Sequence, residues 1–189
     1  MRKCLLLIAL STMATVAESA NNIFVNYDNL PGENMPVPQG YGGINWNNNW
    51  IYYGFVDPPY TAHSLPNRVY DLAQYPSDTF TFVNPNGDIF GGAWFAGYGF
   101  ATVQFVLYNG LDQVWTSEVL SPSDVPTFLS SGYAGLVTTV EVQSPSPDFF
   151  VMDDVTYSTG LSTPEPSTLT LFSAGLVGAA GAVLRKRRG

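Results

Sequence analysis

Between residues 21 and 163 no segment carries an apolar repeat of 3.6 residues long enough for a helix. Apolar residues come in short runs, broken by thirteen Asn, fourteen Gly and twelve Pro. Asn and Gly reach left-handed turn conformations cheaply, and Pro fixes φ while removing a backbone donor. Such punctuation stops helices and joins strands, so this stretch is expected to be all-β. In 100–108, Val103, Phe105 and Leu107 alternate with Thr102 and Gln104, the period of a half-buried strand. Asn109-Gly110 then favours a two-residue hairpin turn into a strand over 114–120. Residues 136–143 alternate again, with Val140 and Val142 opposing Thr139, Glu141 and Gln143. Further strands are expected at 23–27, 50–56, 79–83 and 149–157, and 91–99 reads as a strand with bulges or close sheet packing. Eight to ten short strands without an internal repeat point to a β-sandwich, most simply a jelly roll, rather than a propeller or solenoid.

The two ends differ from this middle. Arg2 and Lys3 precede an apolar run over 4–10 and then small residues to Ala20, the order of a secretory signal with cleavage after Ala17 or Ala20. Cys4 opens the apolar run instead of following it, so it does not serve as a lipidation site. At the other end Pro164-Glu165-Pro166 precedes an uncharged run over 169–184 and then Arg185-Lys186-Arg187-Arg188. As a helix that run reaches ~24 Å, short of a hydrocarbon core of roughly 30 Å unless flanking residues extend it. The basic cluster orients its end toward the cytoplasm. The expected organisation is therefore a signal peptide (1–20), a β-sandwich (21–160), a linker with the Pro-Glu-Pro motif (161–168), a single hydrophobic helix (169–184) and a basic tail (185–189).

Those C-terminal residues, with Gly175, Gly178 and Gly181 inside the apolar run, resemble the PEP-CTERM sorting signal of Gram-negative bacteria. The resemblance implies export, handling by an exosortase that cuts near Pro164-Glu165-Pro166, transient membrane residence, and delivery to the surface or extracellular matrix. The same C-terminal segment is also named after ice-binding proteins. Ice binding favours Thr-x-Thr ladders, however, and within residues 21–163 only Thr79-Phe80-Thr81 fits that pattern.

Composition narrows the partners. The middle has no cysteine and no lysine, and Arg68 is its only permanent cation against thirteen Asp and Glu, a net charge near −12. The whole-chain value of −8 understates this, because the other basic residues lie in the two end segments. Such a surface repels nucleic acid and suits calcium, neutral glycans or cationic partners.

Two constellations stand out. Asp153-Asp154 interrupts the apolar strand 149–157, and by alternation Asp153 is expected to point inward with Phe149, Val151, Val155 and Tyr157. A carboxylate there needs a compensating partner. The segment resembles the last strand of carbohydrate-binding-module-like jelly rolls, which implies a structural Ca²⁺ held by Asp153 or Asp154 with Asp28. The alternative is a strand-end Asp bonded to backbone amides. The second constellation is Gly40-Tyr41-Gly42-Gly43-Ile44-Asn45-Trp46-Asn47 with Trp50, which resembles a segment of uncharacterised secreted β-domains. Trp46 and Trp50 would stack on sugar rings while Asn45 and Asn47 bind hydroxyls, unless the aromatics fill the core.

Catalysis finds little support. His63, the sole histidine, sits in a Pro-rich loop with no nucleophile motif beside it. A glycosidase needs only two carboxylates, but nothing selects a pair. The sequence thus reads as a non-enzymatic surface or matrix protein whose sandwich binds or is embedded in polysaccharide. A structural envelope protein without a ligand site is the alternative, and a glycoside hydrolase a more distant one.

Overall fold

The computed structural model describes residues 21–72 and 76–159. The expected signal peptide, the Pro164-Glu165-Pro166 linker, the hydrophobic helix 169–184 and the basic tail lie outside the described residues.

The described residues form an all-β sandwich of the jelly-roll type. Twelve strands run in the order β1 (Asn22–Val25), β2 (Met35–Pro36), β3 (Ile44–Trp46), β4 (Trp50–Tyr53), β5 (Arg68–Asp71), β6 (Ser77–Phe82), β7 (Ile89–Gly97), β8 (Gln104–Asn109), β9 (Asp112–Thr116), β10 (Thr127–Ser130), β11 (Thr139–Gln143) and β12 (Phe150–Ser158). The larger sheet has the order β10-β7-β12-β5-β4-β2, with β1 also paired to β12, and the smaller has the order β3-β6-β11-β8-β9. Every strand pairing is antiparallel.

One core fills the space between the sheets. Val103, Phe105 and Leu107 meet Val140 and Val142 there from the smaller sheet, on the faces their alternation predicts. Their sequence neighbours Gln104 and Gln143 join side chains at 2.8 Å on the opposite face. The β8–β9 turn occupies Gly110 and Leu111, because Asn109 still pairs with Asp112. The turn is thus one residue later than Asn109-Gly110 suggests. Gly110, at φ +64, takes the left-handed position, and Leu111 stands fully exposed at the tip.

Strand β12 departs from simple alternation. Phe150 and Met152 face the core, and so do Val155 and Tyr157, which the same alternation would place opposite them. The phase changes at a bulge, where the ladder to β7 shifts between Asp153 and Thr156 and Asp154 adopts φ +43. Asp153 therefore shares the outer face with Val151, and the expected inward row of 149, 151, 153, 155 and 157 does not exist. The reason is one extra residue, which flips every side chain beyond it.

Candidate functional site

The Gly40–Asn47 segment is a packing device. Trp46 and Trp50 are both 0% exposed. Trp46 packs against Tyr27, Trp50 and Phe80 at centroid distances of 5.5, 6.2 and 5.0 Å. Each indole N–H is satisfied internally, Trp46 Nε1 by the Tyr41 carbonyl at 3.0 Å and Trp50 Nε1 by the Thr79 carbonyl at 3.2 Å. Neither ring has a free face for a sugar, which corrects the expected glycan contact. Asn47 donates to the Asp78 carboxylate and the Thr79 carbonyl, so its amide is committed to the fold. Asn45 alone of the four is exposed, on the outer side of β3. The glycines serve a close approach: Tyr157 Oη donates to the Gly42 carbonyl at 2.7 Å, and a Cβ on Gly43 (φ +75) would lie 2.1 Å from that hydroxyl.

The three acids expected at a calcium site are also engaged otherwise. Asp28 Oδ1 accepts the Asn67 backbone N–H at 3.1 Å. Asp153, 2% exposed, accepts the backbone N–H groups of His63 and Ser64 on Oδ2 at 2.8 and 2.9 Å, and that of Asp154 on Oδ1 at 2.8 Å. Among the described residues no three His, Cys, Asp or Glu side chains converge into a group that could hold a metal. Asp28, Asp153 and Asp154 are therefore not gathered into one carboxylate set. Asp153 is bonded to backbone amides, as in the alternative the sequence left open.

What the bulge does is hold the loop 54–66 against the outer face of the larger sheet. Asp154 reaches His63 Nδ1 through Oδ2 at 2.5 Å and accepts from Ser64 Oγ on Oδ1 at 3.0 Å. The serine hydroxyl thus faces the carboxylate and not the imidazole, so the three groups make no nucleophile relay. Burial, then the charge of Asp154, pushes the Asp153 carboxyl up to about 8, with the backbone amides pulling the other way. Burial raises the phenol of Tyr27 well above its usual range, and the charge of Asp153 adds to this.

The latched His63 stacks on Trp94 at 3.6 Å and 11°. Trp94 stands on the outer face of β7, and Phe128 of β10 packs beside it at 5.6 Å. These two rings border a groove of about 500 Å³ that crosses β10, β7, β12 and β1 and is closed on the far side by Phe24, 71% exposed. Asn22, Thr156 and Ser158 place polar groups along it. Its floor is Gly91, where a Cβ would lie 2.7 Å from Thr156 Oγ1. Sequence reasoning singles out none of Phe24, Trp94, Phe128 or His63 as a ligand contact. The one available signal is a tryptophan among small residues in Gly91-Gly92-Ala93-Trp94-Phe95-Ala96, a bulky ring with cleared space around it.

The chain carries the PEP-CTERM protein-sorting motif, matched over residues 162–188. No curated protein matches the chain. Among solved structures, a family 29 carbohydrate-binding module is similar at 15% identity, covering 76% of this chain and 91% of its own, with a TM-score of 0.42. A CBM29-2 mutant complexed with cellulohexaose is similar at 16% identity, 75% and 92% coverage and a TM-score of 0.42. Another, complexed with mannohexaose, gives 14%, 76%, 94% and 0.41.

Proposed function

We propose that the protein is exported and sorted to the cell surface or extracellular matrix through its C-terminal motif, and that its sandwich binds an extended neutral polysaccharide in the Phe24–Trp94–Phe128 groove. The observation that carries this reading is the groove's composition: aromatic rings from three strands, β1, β7 and β10, with Asn22, Thr156 and Ser158 also lining it. Sugar rings offer apolar C–H faces that stack on aromatics and hydroxyls that need polar partners, and the groove supplies both. His63 fixes the Trp94 ring before any ligand arrives, which lowers the ordering cost of binding. The acidic surface disfavours anionic polymers.

Affinity electrophoresis against a panel of neutral polysaccharides tests this. At least one polymer is expected to retard the protein. Trp94→Ala should weaken that retention by roughly thirtyfold, the effect of losing about 2 kcal/mol at a central aromatic contact. Asn45→Ala should leave it unchanged. Wild-type retention in Trp94→Ala, or no retention by any polymer, would refute the groove and favour a purely structural envelope role.

The sorting motif supports processing by an exosortase. Alanine at Pro164, Glu165 and Pro166 together should leave the chain membrane-associated with its basic tail still attached, as read by mass spectrometry. A mature mass equal to wild type would mean that the motif is not what the processing enzyme reads.

A further inference from the structure

The outer face of the larger sheet has a second hollow, of about 270 Å³, above β12, β5 and β4. Its wall is aromatic: Tyr53 and Tyr70 meet edge to face at 5.5 Å, Phe55 packs on Tyr53 at 4.7 Å, and Tyr60 closes the rim. Tyr60 is held in place by donating its hydroxyl to the Asp148 carbonyl at 3.1 Å. Two carboxylates, Asp57 and Asp148, line the same hollow, and no cationic side chain does. Arg68 lies with its guanidinium 3.9 Å over the Tyr53 ring, almost fully buried outside the lining. That contact shows one of these rings already engaged with a cation. Two acids against one guanidinium leave the hollow negative.

Aromatic walls with carboxylates at the rim are poorly matched to a neutral or anionic guest. The ring faces attract positive charge through their quadrupoles, and the carboxylates add coulombic attraction in a partly water-excluded space. We propose that this hollow is a second binding site, distinct from the glycan groove, selective for an organic cation of the ammonium class: an alkylammonium group or a protonated amino sugar. Both carboxylates act at the wall, since Asp57 and Asp148 push the Tyr60 phenol up, behind the larger effects of burial and Tyr98.

The test is titration calorimetry on the full-length chain in a polyoxyethylene detergent, which carries neither sugar nor ammonium. The probes are two matched pairs: choline with its neutral isostere 3,3-dimethylbutanol, and glucosamine with N-acetylglucosamine. The charged member of at least one pair should bind roughly tenfold more tightly than its neutral partner. Which pair responds identifies the source, a small alkylammonium or an amino sugar. Asp57→Asn with Asp148→Asn should remove that preference while leaving the melting temperature and neutral-polysaccharide retention as in wild type. Equal affinity within both pairs, no binding by either cation, or an undiminished preference in the double variant would overturn the proposal. Because the polysaccharide assay reports on the Trp94 groove, failure here is separable from failure there.

Discussion

Trp46→Ala is expected to cost the fold about 3–5 kcal/mol, a large share of the roughly 5–15 kcal/mol that holds a domain of this size together. The ring is fully buried, touches Tyr27, Trp50 and Phe80, and donates its N–H to the Tyr41 carbonyl, which also accepts from the Ile44 backbone, so truncation opens a cavity and removes one of that carbonyl's two donors. Rigid neighbours limit collapse. β3 is an edge strand whose three pairings to β6 begin at Ile44 and end at Trp46 itself. Differential scanning calorimetry should show a fall of roughly 10–20 °C in melting temperature. A fall of only a degree or two would mean that Trp46 is not the core residue its burial indicates. Asn45→Ala, one residue away on the exposed side, should stay within about 0.5 kcal/mol of wild type.

Replacing Asp153 by Asn should flatten the pH dependence of stability. The Asp153 carboxyl is raised to about 8 in the folded chain from an ordinary value of 3.8. Between those two values the folded state holds a proton that the unfolded chain has released. Stability from this group is therefore fully present below the unfolded value and falls as pH rises toward the folded one. At about 1.4 kcal/mol per unit the loss by pH 8–9 is on the order of several kcal/mol. That corresponds to roughly 15–20 °C in a domain of this size. The amide introduced by Asp153→Asn keeps an oxygen for the His63 and Ser64 N–H groups but carries no charge. The variant should therefore be the more stable form at high pH and lose its advantage near pH 4. The other acids and His63 remain in both proteins, and the difference between the two melting profiles isolates the single carboxyl. Parallel profiles would show that the three backbone N–H groups keep Asp153 ionised in the fold.

How much of this is legible in the sequence depends on whether a feature is local. Alternation at 103–107 and 139–143 is a property of adjacent residues on one half-buried strand, and it places Val103, Phe105, Leu107, Val140 and Val142 in the core correctly. The aromatics are not assignable that way. Trp46 and Trp94 both follow glycines, and what separates them is the neighbouring chain: β6 and Tyr27 enclose Trp46, whereas Trp94 meets the rings of His63 and Phe128 on an outer face. His63 reads as a solvated loop residue because nothing near it in sequence binds it. Its partners, Trp94 and Asp154, lie 31 and 91 positions away. The doubled Asp153-Asp154 is conspicuous, but a strict period of two does not survive it. Paired acids inside an apolar strand are in fact the visible trace of the bulge.

Thr159 donates its backbone N–H to the Asn21 carbonyl at 3.3 Å, and Asn22 pairs with Ser158, so the chain enters and leaves the sandwich side by side. The sorting motif begins only three residues later, at 162. Fully extended, those residues reach ~10 Å. An enzyme acting at the start of the motif would thus work close to the folded domain, with little tether to spare. Asn22 and Ser158 also line the proposed glycan groove. If the groove takes a polymer as proposed, a polymer overrunning that end and an enzyme seated at the start of the motif would compete for the same space, and maturation and capture would then be successive events.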